Sequence, residues 1–237
     1  MNRIVLKLSG EALGGDKGIG VDPNVAKALA LEIKEAYELK THAISIVCGG
    51  GNFFRGRDAK ELGVDRVECD YMGMMGTVMN AIYLKNALIQ AGVKAKVISC
   101  LEIPSAVETY TVSSANEYLD DDNVVIFAGG TGRPYFSTDT ATLLRAVDIK
   151  ANLVLMGKNG VDGVYSSDPN VDKNAVKYDI LSHRDILKEN LNVMDLTAAS
   201  IADEHNIDII VFDISAKGAI KKALQGEKIG TLVKKEK

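Results

Sequence analysis

Lys7-Leu8-Ser9-Gly10 places an ammonium three residues before a glycine, at the end of the apolar run Ile4–Leu8. Gly49-Gly50-Gly51-Asn52 ends a second run, Ile44–Cys48, and Arg55 follows four residues after the last glycine. A third run, Val124–Ala128, ends in Gly129-Gly130-Thr131-Gly132 and leads through Arg133-Pro134-Tyr135-Phe136-Ser137-Thr138-Asp139 to a helix start. A glycine turn between strand and helix lets the backbone approach an anion and aim several N–H donors at it. One such turn is weak, because glycine also simply ends strands. Lys7 alone reads equally well as a solvated charge on a sheet face. Three turns accompanied by Lys7 and Arg55 point to phosphate, whose charge ammonium and guanidinium groups meet well.

The elements that must position these turns alternate between β-branched runs and helical patterns. Asp22 caps a helix from Pro23, in which Val25, Leu29, Ile33 and Tyr37 recur at helical spacing. Met72, Met75, Met79 and Ile82 form another stripe, which predicts a core-facing side, with a plastic binding surface as the alternative. Helices are also predicted around Ser114–Leu119, from Ser137 or Thr138 through Val147, and near Ala219–Leu224. Strands are predicted at Ala95–Ser99, Leu153–Met156, Ile209–Phe212 and Thr231–Val233, with a turn and strand at Val161–Tyr165. The tail from Lys234 to Lys237 reads as a solvated end. This order predicts an α/β fold, a three-layer α/β/α sandwich whose central sheet is mostly parallel. Ligands of such sheets bind beyond the carboxyl ends of the strands, where the glycine turns fall.

Composition narrows the function. The 237 residues carry 28 Lys+Arg against 32 Asp+Glu, a formal net charge of −4, which argues against gripping nucleic acid by charge alone. With 46% apolar residues the chain can bury a large core, and its longest apolar runs are strand-sized, so no membrane partner is expected. Met1–Gly10 is interrupted by Lys7 and lacks a secretory apolar region, so a cytoplasmic protein is expected. Cys48, Cys69 and Cys100 have neither metal-ligand spacing nor an even count, and are expected as buried or semi-buried thiols. There is no G-x-x-x-x-G-K-[ST] run, and no G-x-G-x-x-G follows the first strand. His183-Arg184-Asp185 through Asn190 fits a protein-kinase catalytic loop, but no D-F-G follows it. Ser182 with Asp185 is better read as the capping pair of a helix.

Lys7–Leu13, Gly49–Gly56, Asp70-Tyr71-Met72-Gly73-Met74, Thr131–Asp139, Val161–Tyr165 and Val193-Met194-Asp195-Leu196 together resemble the prokaryotic UMP kinases of the amino-acid-kinase superfamily. The similarity runs in order along the whole chain. It implies one amino-acid-kinase domain over residues 1–237, with 1–150 mainly on the UMP side and 151–237 mainly on the ATP side. The implied reaction moves the ATP γ-phosphoryl group to UMP, giving UDP and ADP in pyrimidine nucleotide biosynthesis, with Mg²⁺ accompanying ATP.

Residue by residue, the resemblance implies that Lys7 contacts the transferring phosphoryl group and Asp139 holds Lys7 in position. Leu8, Ser9, Gly10 and Gly51 cradle the ATP phosphates, and Arg55 sits between the two phosphate chains. Gly50 meets the UMP phosphate and Asp70 accepts from the ribose hydroxyls. Thr131, Gly132, Arg133, Pro134, Tyr135, Phe136, Ser137 and Thr138 wrap uracil and the α-phosphate. Asn159, Tyr165 and Asp168 form the adenosine pocket. Gly15, Asp16, Lys17, Gly18, Ile19 and Gly20 match the segment linked to GTP activation in a family of homohexamers inhibited by UTP. Arg133 departs from the pattern, which usually has Asn there. No acidic cluster has fixed metal-ligand spacing.

Phosphoryl transfer needs positioning and charge neutralisation more than proton chemistry. Lys7, Arg55, the turn amides and Mg²⁺ answer the main obstacle, the approach of two anions. A carboxylate such as Asp139 has the wrong sign to stabilise that charge, so its work is to orient a cation or metal-bound water. Two alternatives stay open: a relative that phosphorylates a carboxylate or carbamate, and a binding or storage shell on the same fold.

Overall fold

The structure is a computed structural model that describes residues 1–54, 63–169, 171–189, 191 and 193–236. Strand β1 (Asn2–Leu8) lies between β2 (His42–Cys48) and β6 (Leu153–Lys158), parallel to both. On one side β2 continues to β5 (Val124–Ala128), β3 (Ala95–Ser99) and the short β4 (Glu108–Thr109). On the other, β6 continues to β10 (Asp208–Asp213), β11 (Thr231–Lys234) and β9 (Ile180–Ser182). Every pairing in this nine-stranded sheet is parallel except β10 with β11. A separate antiparallel pair, β7 (Val164–Tyr165) and β8 (Lys177–Tyr178), stands outside it.

Two cores explain the apolar runs, since a parallel sheet is buried on both faces. Ile4, Leu6, Ile44, Ile46 and Leu155 face one core, under helices α2 (Pro23–Tyr37), α3 (Arg66–Gln90) and α8 (Ala219–Leu224). Val5, Val47, Val154 and Met156 face the other. That second core lies under α4 (Val112–Asp120), α5 (Thr138–Asp148), α6 (His183–Glu189) and α7 (Leu196–His205). The expected three-layer sandwich is therefore present. Asp22 caps α2, its carboxylate accepting from the backbone of Asn24 and Val25, with Pro23 at the first helical position. Ser182 and Asp185 form the reciprocal cap at the start of α6, which disposes of the kinase-like motif. A short helix, α1 (Gly10–Leu13), follows β1 directly.

The methionine stripe is a correction. Met75 and Met79 are about half exposed, and Met72 and Ile82 are only partly covered. The buried side of α3 instead runs Met74, Val78, Ala81, Leu84, Leu88. This helix is apolar nearly all round, so periodicity alone does not choose a face. The choice falls to its small residues. Gly73 and Gly76 bring the helix backbone against Gly50 and Phe53, and the methionines are turned outward. Lys234 is also part of β11 rather than of the tail. Cys48 and Cys69 are buried and Cys100 is partly covered, as expected, and burial pushes the Cys48 thiol up to about 12.

Candidate active site

Lys7 shares a face of β1 with Val5, so alternation directs it toward the core under α5 rather than to solvent. Ser137 caps α5, its hydroxyl accepting from the backbone of Asp139 (3.0 Å) and Thr140 (3.2 Å). That cap fixes the first turn and sets the Asp139 carboxylate over the end of β1, with Oδ1 3.1 Å from Lys7 Nζ. Both side chains are mostly buried, and the approach lies outside hydrogen-bond geometry, so the contact is ionic.

A third group holds the first turn of α5. Asp195, the cap of α7, accepts from the Thr140 hydroxyl at 2.8 Å, from the Ala198 backbone at 2.9 Å and from the Ser137 hydroxyl. Sequence reasoning noticed the motif around Asp195 but gave it no task. The readable signal was an Asp three residues before Ala198, the spacing of a helix cap.

A cavity of about 460 Å³ opens beside the Lys7–Asp139 pair. Of the predicted residues, Gly50, Gly51 and Asp70 wall it together with Lys7. Thr131, Arg133, Tyr135, Phe136, Ser137, Thr138 and Asp139 close it from above. Gly132 and Pro134 belong to the same run without lining the cavity. Leu8 is core, its carbonyl accepting from the Gly49 backbone at 2.8 Å, and Ser9 precedes α1 as its cap residue. Arg55 lies outside the described residues. Glu11, Arg66, Gly73, Met74 and Thr77 line the cavity without having been anticipated.

The turns are pressed together, which explains their glycines better than phosphate access alone. A Cβ on Gly50 would stand 2.1 Å from the Gly73 carbonyl oxygen, and one on Gly10 would stand 2.7 Å from the Gly51 nitrogen. Buried amides brace the second turn. Asn52 and Asn80 exchange side-chain hydrogen bonds of 2.8 and 2.9 Å, and Asn80 also donates to the Gly49 carbonyl at 2.8 Å. The third turn is fastened by Thr77, whose hydroxyl accepts from the Gly129 backbone at 2.7 Å and donates to Met74.

At the mouth, Asp70 accepts from Arg66 Nε through both oxygens, 3.0 Å each, and from the Tyr135 backbone at 2.8 Å. Tyr135 sits at φ 70°, a left-handed conformation that points its N–H inward while its ring stays exposed. A carboxylate has about four acceptor sites, so Asp70 keeps capacity for a further hydroxyl.

The predicted adenosine residues are not part of this cavity. Asn159 follows β6 and is exposed, as is Asp168, and Tyr165 is half-buried in β7 with its hydroxyl donating to Asp162 at 2.6 Å. The segment from Gly15 to Gly20 starts as a 3₁₀ turn over Gly15–Lys17. It ends on the second glycine turn, where Gly20 donates to the Asn52 carbonyl at 3.0 Å and Asn52 Nδ2 donates back at 2.5 Å.

A doubly covered parallel sheet, with a lysine–carboxylate pair and glycine turns at its carboxyl ends, defines a phosphotransferase-type site. The chain belongs to the amino acid kinase family, which it matches over residues 2–213. It is 50% identical over 234 residues to a uridylate kinase of Pediococcus pentosaceus, covering 99% of this chain and 97% of that protein. Among solved structures, it superposes on UMP kinase from Bacillus anthracis with a TM-score of 0.95, at 35% identity over 100% of this chain and 97% of that one. UMP kinase from Ureaplasma parvum gives 0.93, at 39% identity over 99% of both chains.

Proposed function

We propose that this protein transfers the γ-phosphoryl group of ATP to UMP, giving UDP and ADP. The observation that carries the reading is the buried Lys7–Asp139 pair at the edge of a cavity whose mouth is held by Asp70. In this reading Lys7 meets the transferring phosphoryl group, held at the carboxyl end of β1 by Asp139. Backbone N–H groups around Gly50 and Gly51 face the acceptor and donor phosphates, and Arg55 adds the second cation. Asp70 accepts from the ribose hydroxyls, and the run from Thr131 to Thr138 surrounds the base. Such preorganised donors stabilise charge as it develops without having to reorganise.

Residues 1–150 then lie mainly on the UMP side and 151–237 mainly on the ATP side, with Asn159, Tyr165 and Asp168 holding adenosine. Among the described residues no three His, Cys, Asp or Glu side chains are grouped to cage a metal ion. Mg²⁺ keeps its waters and is commonly held by one or two carboxylates plus substrate phosphates. Asp139, with a buried Oδ1 that makes no hydrogen bond, is the group placed to orient a water of such an ion. Bound Mg²⁺ supplies charge neutralisation between the nucleotides.

GTP activation through Gly15–Gly20 and UTP inhibition belong to this reading, and the Gly20–Asn52 bonds give that segment a mechanical path to the second glycine turn. The homohexamer of this reading needs a self-associating surface, and the half-exposed Leu31, Met79 and Tyr83 of α2 and α3, which line a groove of about 850 Å³, offer one. No helix among the described residues is long and apolar enough to cross a membrane. The unpaired thiols favour the cytoplasm. A coupled ADP-release assay with ATP, Mg²⁺ and UMP, run beside CMP and carbamate, tests the proposal. Turnover with UMP alone supports it; turnover with carbamate instead assigns the chain to another branch of its family, and none with any acceptor favours a binding shell.

A further inference from the structure

A second ammonium, partly buried, stands with Lys7 above the second core. In the β1–β6 register Lys7 pairs with Met156, and alternation along β6 puts Lys158 on the same face as Met156, just beyond the pair. Lys158 is therefore directed to the side covered by α5, whose first turn carries Asp139. Its Nζ donates to the Val193 carbonyl at 2.6 Å. The ammonium has three protons and, among the described residues, donates to no other group, so the tether holds it in place and leaves donor capacity over. Its surroundings are those of the site: burial pulls its pKa down, Asp139 opposes that shift, and the Lys7 charge adds to it. Asp139 and, in register with Lys158 on β10, Asp213 are the carboxylates set with these two ammoniums, and Asp213 is itself occupied by the Gly160 and Ser215 backbone N–H groups. An incoming phosphate meets the Lys158 protons that the Val193 tether leaves over.

Resting on the ATP-dependent reading above, we propose that Lys158 is a second lysine contact to the phosphoryl donor, reaching the β-phosphate oxygens from the β6 side while Lys7 reaches the transferring group from β1. Location selects the donor over the acceptor. Lys158 does not line the acceptor cavity, and the next residue, Asn159, starts the loop leading to Tyr165 and Asp168. A merely structural lysine has a different signature. The Val193 carbonyl belongs to the loop that ends in Asp195, which holds Ser137 and Thr140 on the acceptor side. Loss of a simple tether therefore disturbs UMP, whereas loss of a donor contact disturbs the nucleotide's terminal phosphates.

The test compares Lys158→Met and Lys158→Arg with the wild type, measuring ADP and AMP dissociation constants by calorimetry and KM for each substrate. The expected result for Lys158→Met is a 10- to 100-fold loss in ADP affinity and in kcat/KM for ATP, with AMP affinity and KM for UMP within about twofold, the cost of one charge-assisted contact. Lys158→Arg recovers most of the ADP preference. Unchanged ADP affinity, or a change confined to KM for UMP, overturns the proposal. Should the methionine variant fail to fold, acylation of the wild-type protein followed by mass spectrometry decides. ADP and not AMP shields Lys158 if the contact exists, and equal labelling with either nucleotide refutes it. Failure to phosphorylate UMP leaves these ADP measurements intact, so the acceptor assignment and the Lys158 contact fail separately.

Discussion

In the proposed reading, the acceptor and donor sides of the site are built in different ways. The acceptor cavity is framed by turns from the middle of the sheet and by the starts of α3 and α5, and nearly every polar group there is tied: Asp70 to Arg66 and Tyr135, Thr77 to Gly129, Asn80 to Gly49 and Asn52. The donor side is an excursion. After β6 the chain leaves the sheet, makes the small β7–β8 pair, and exposes Asn159 and Asp168. A preformed pocket binds with little ordering, whereas exposed loop residues must be ordered by the ligand. On the same proposed reading, the chemistry lies at the seam, where β1 and β6 run side by side and Lys7 and Lys158 end on one face.

The largest effect belongs to the seam. Lys7→Ala removes a preorganised charge at the transferring group, so kcat falls by about 10²–10³, or about 3–4 kcal/mol. Steady-state kinetics check this, and near-normal turnover removes Lys7 from the reaction. Asp70→Asn comes next and separates the two sides. It weakens the carboxylate that holds Arg66 and the Tyr135 backbone, so KM for UMP rises by about 10- to 100-fold, in line with about 1.5–3 kcal/mol for a charged hydrogen bond. KM for ATP stays within about twofold. Equal increases in both KM values erase the distinction between the sides.

That distinction also decides what could be read from sequence. The strands β1, β2 and β5 were legible because both faces are buried, which leaves unbroken apolar runs ending in glycine. The Asp22 and Ser182 caps were legible because they are local in sequence. The methionine face of α3 was not. An all-round apolar helix is oriented by what it touches, here Gly50 and Phe53 against Gly73 and Gly76, and no period encodes that contact. Asp195 was missed for the related reason that its partners, Ser137 and Thr140, lie more than fifty residues away. Lys158 escaped notice because a lysine at a strand end reads as solvated until the neighbouring strand is known. Arg66 had no visible task until α3 set it one turn from Asp70.

The donor side offers a smaller perturbation. Tyr165→Phe removes the hydroxyl that donates to Asp162 and holds the β7 ring at the head of its loop. Losing one exposed hydrogen bond costs about 0.5–1.5 kcal/mol, so KM for ATP rises by about two- to tenfold with kcat and KM for UMP unchanged. A larger loss, comparable with Asp70→Asn, means that the donor side is as preorganised as the acceptor side.

The smallest expected effect concerns the scaffold behind the donor side. His183 is fully buried at the start of α6, and because a carbonyl can only accept, Nε2 donates to Ile207 at 2.9 Å. Its Nδ1 makes no hydrogen bond and lies 3.9 Å from Asp203 Oδ1, which is also without one. Burial holds the imidazole below its ordinary pKa of 6.5, outweighing Asp203. A lowered histidine binds fewer protons folded than unfolded, so its contribution to stability is complete above pH 6.5 and declines as pH falls below that value. The slope is at most about 1.4 kcal/mol per pH unit for one proton. Carboxylates held low, such as Asp122 and Asp185, give way only below about their ordinary 3.8, well clear of this window. His42, partly covered at the start of β2 on the acceptor side, shifts in the same direction. Urea midpoints at pH 7.5 and 5.5 therefore separate the two halves: His183→Gln, which keeps a donor for Ile207, flattens the acid loss more than His42→Gln does. Equal flattening by both variants places the acid sensitivity outside the donor scaffold.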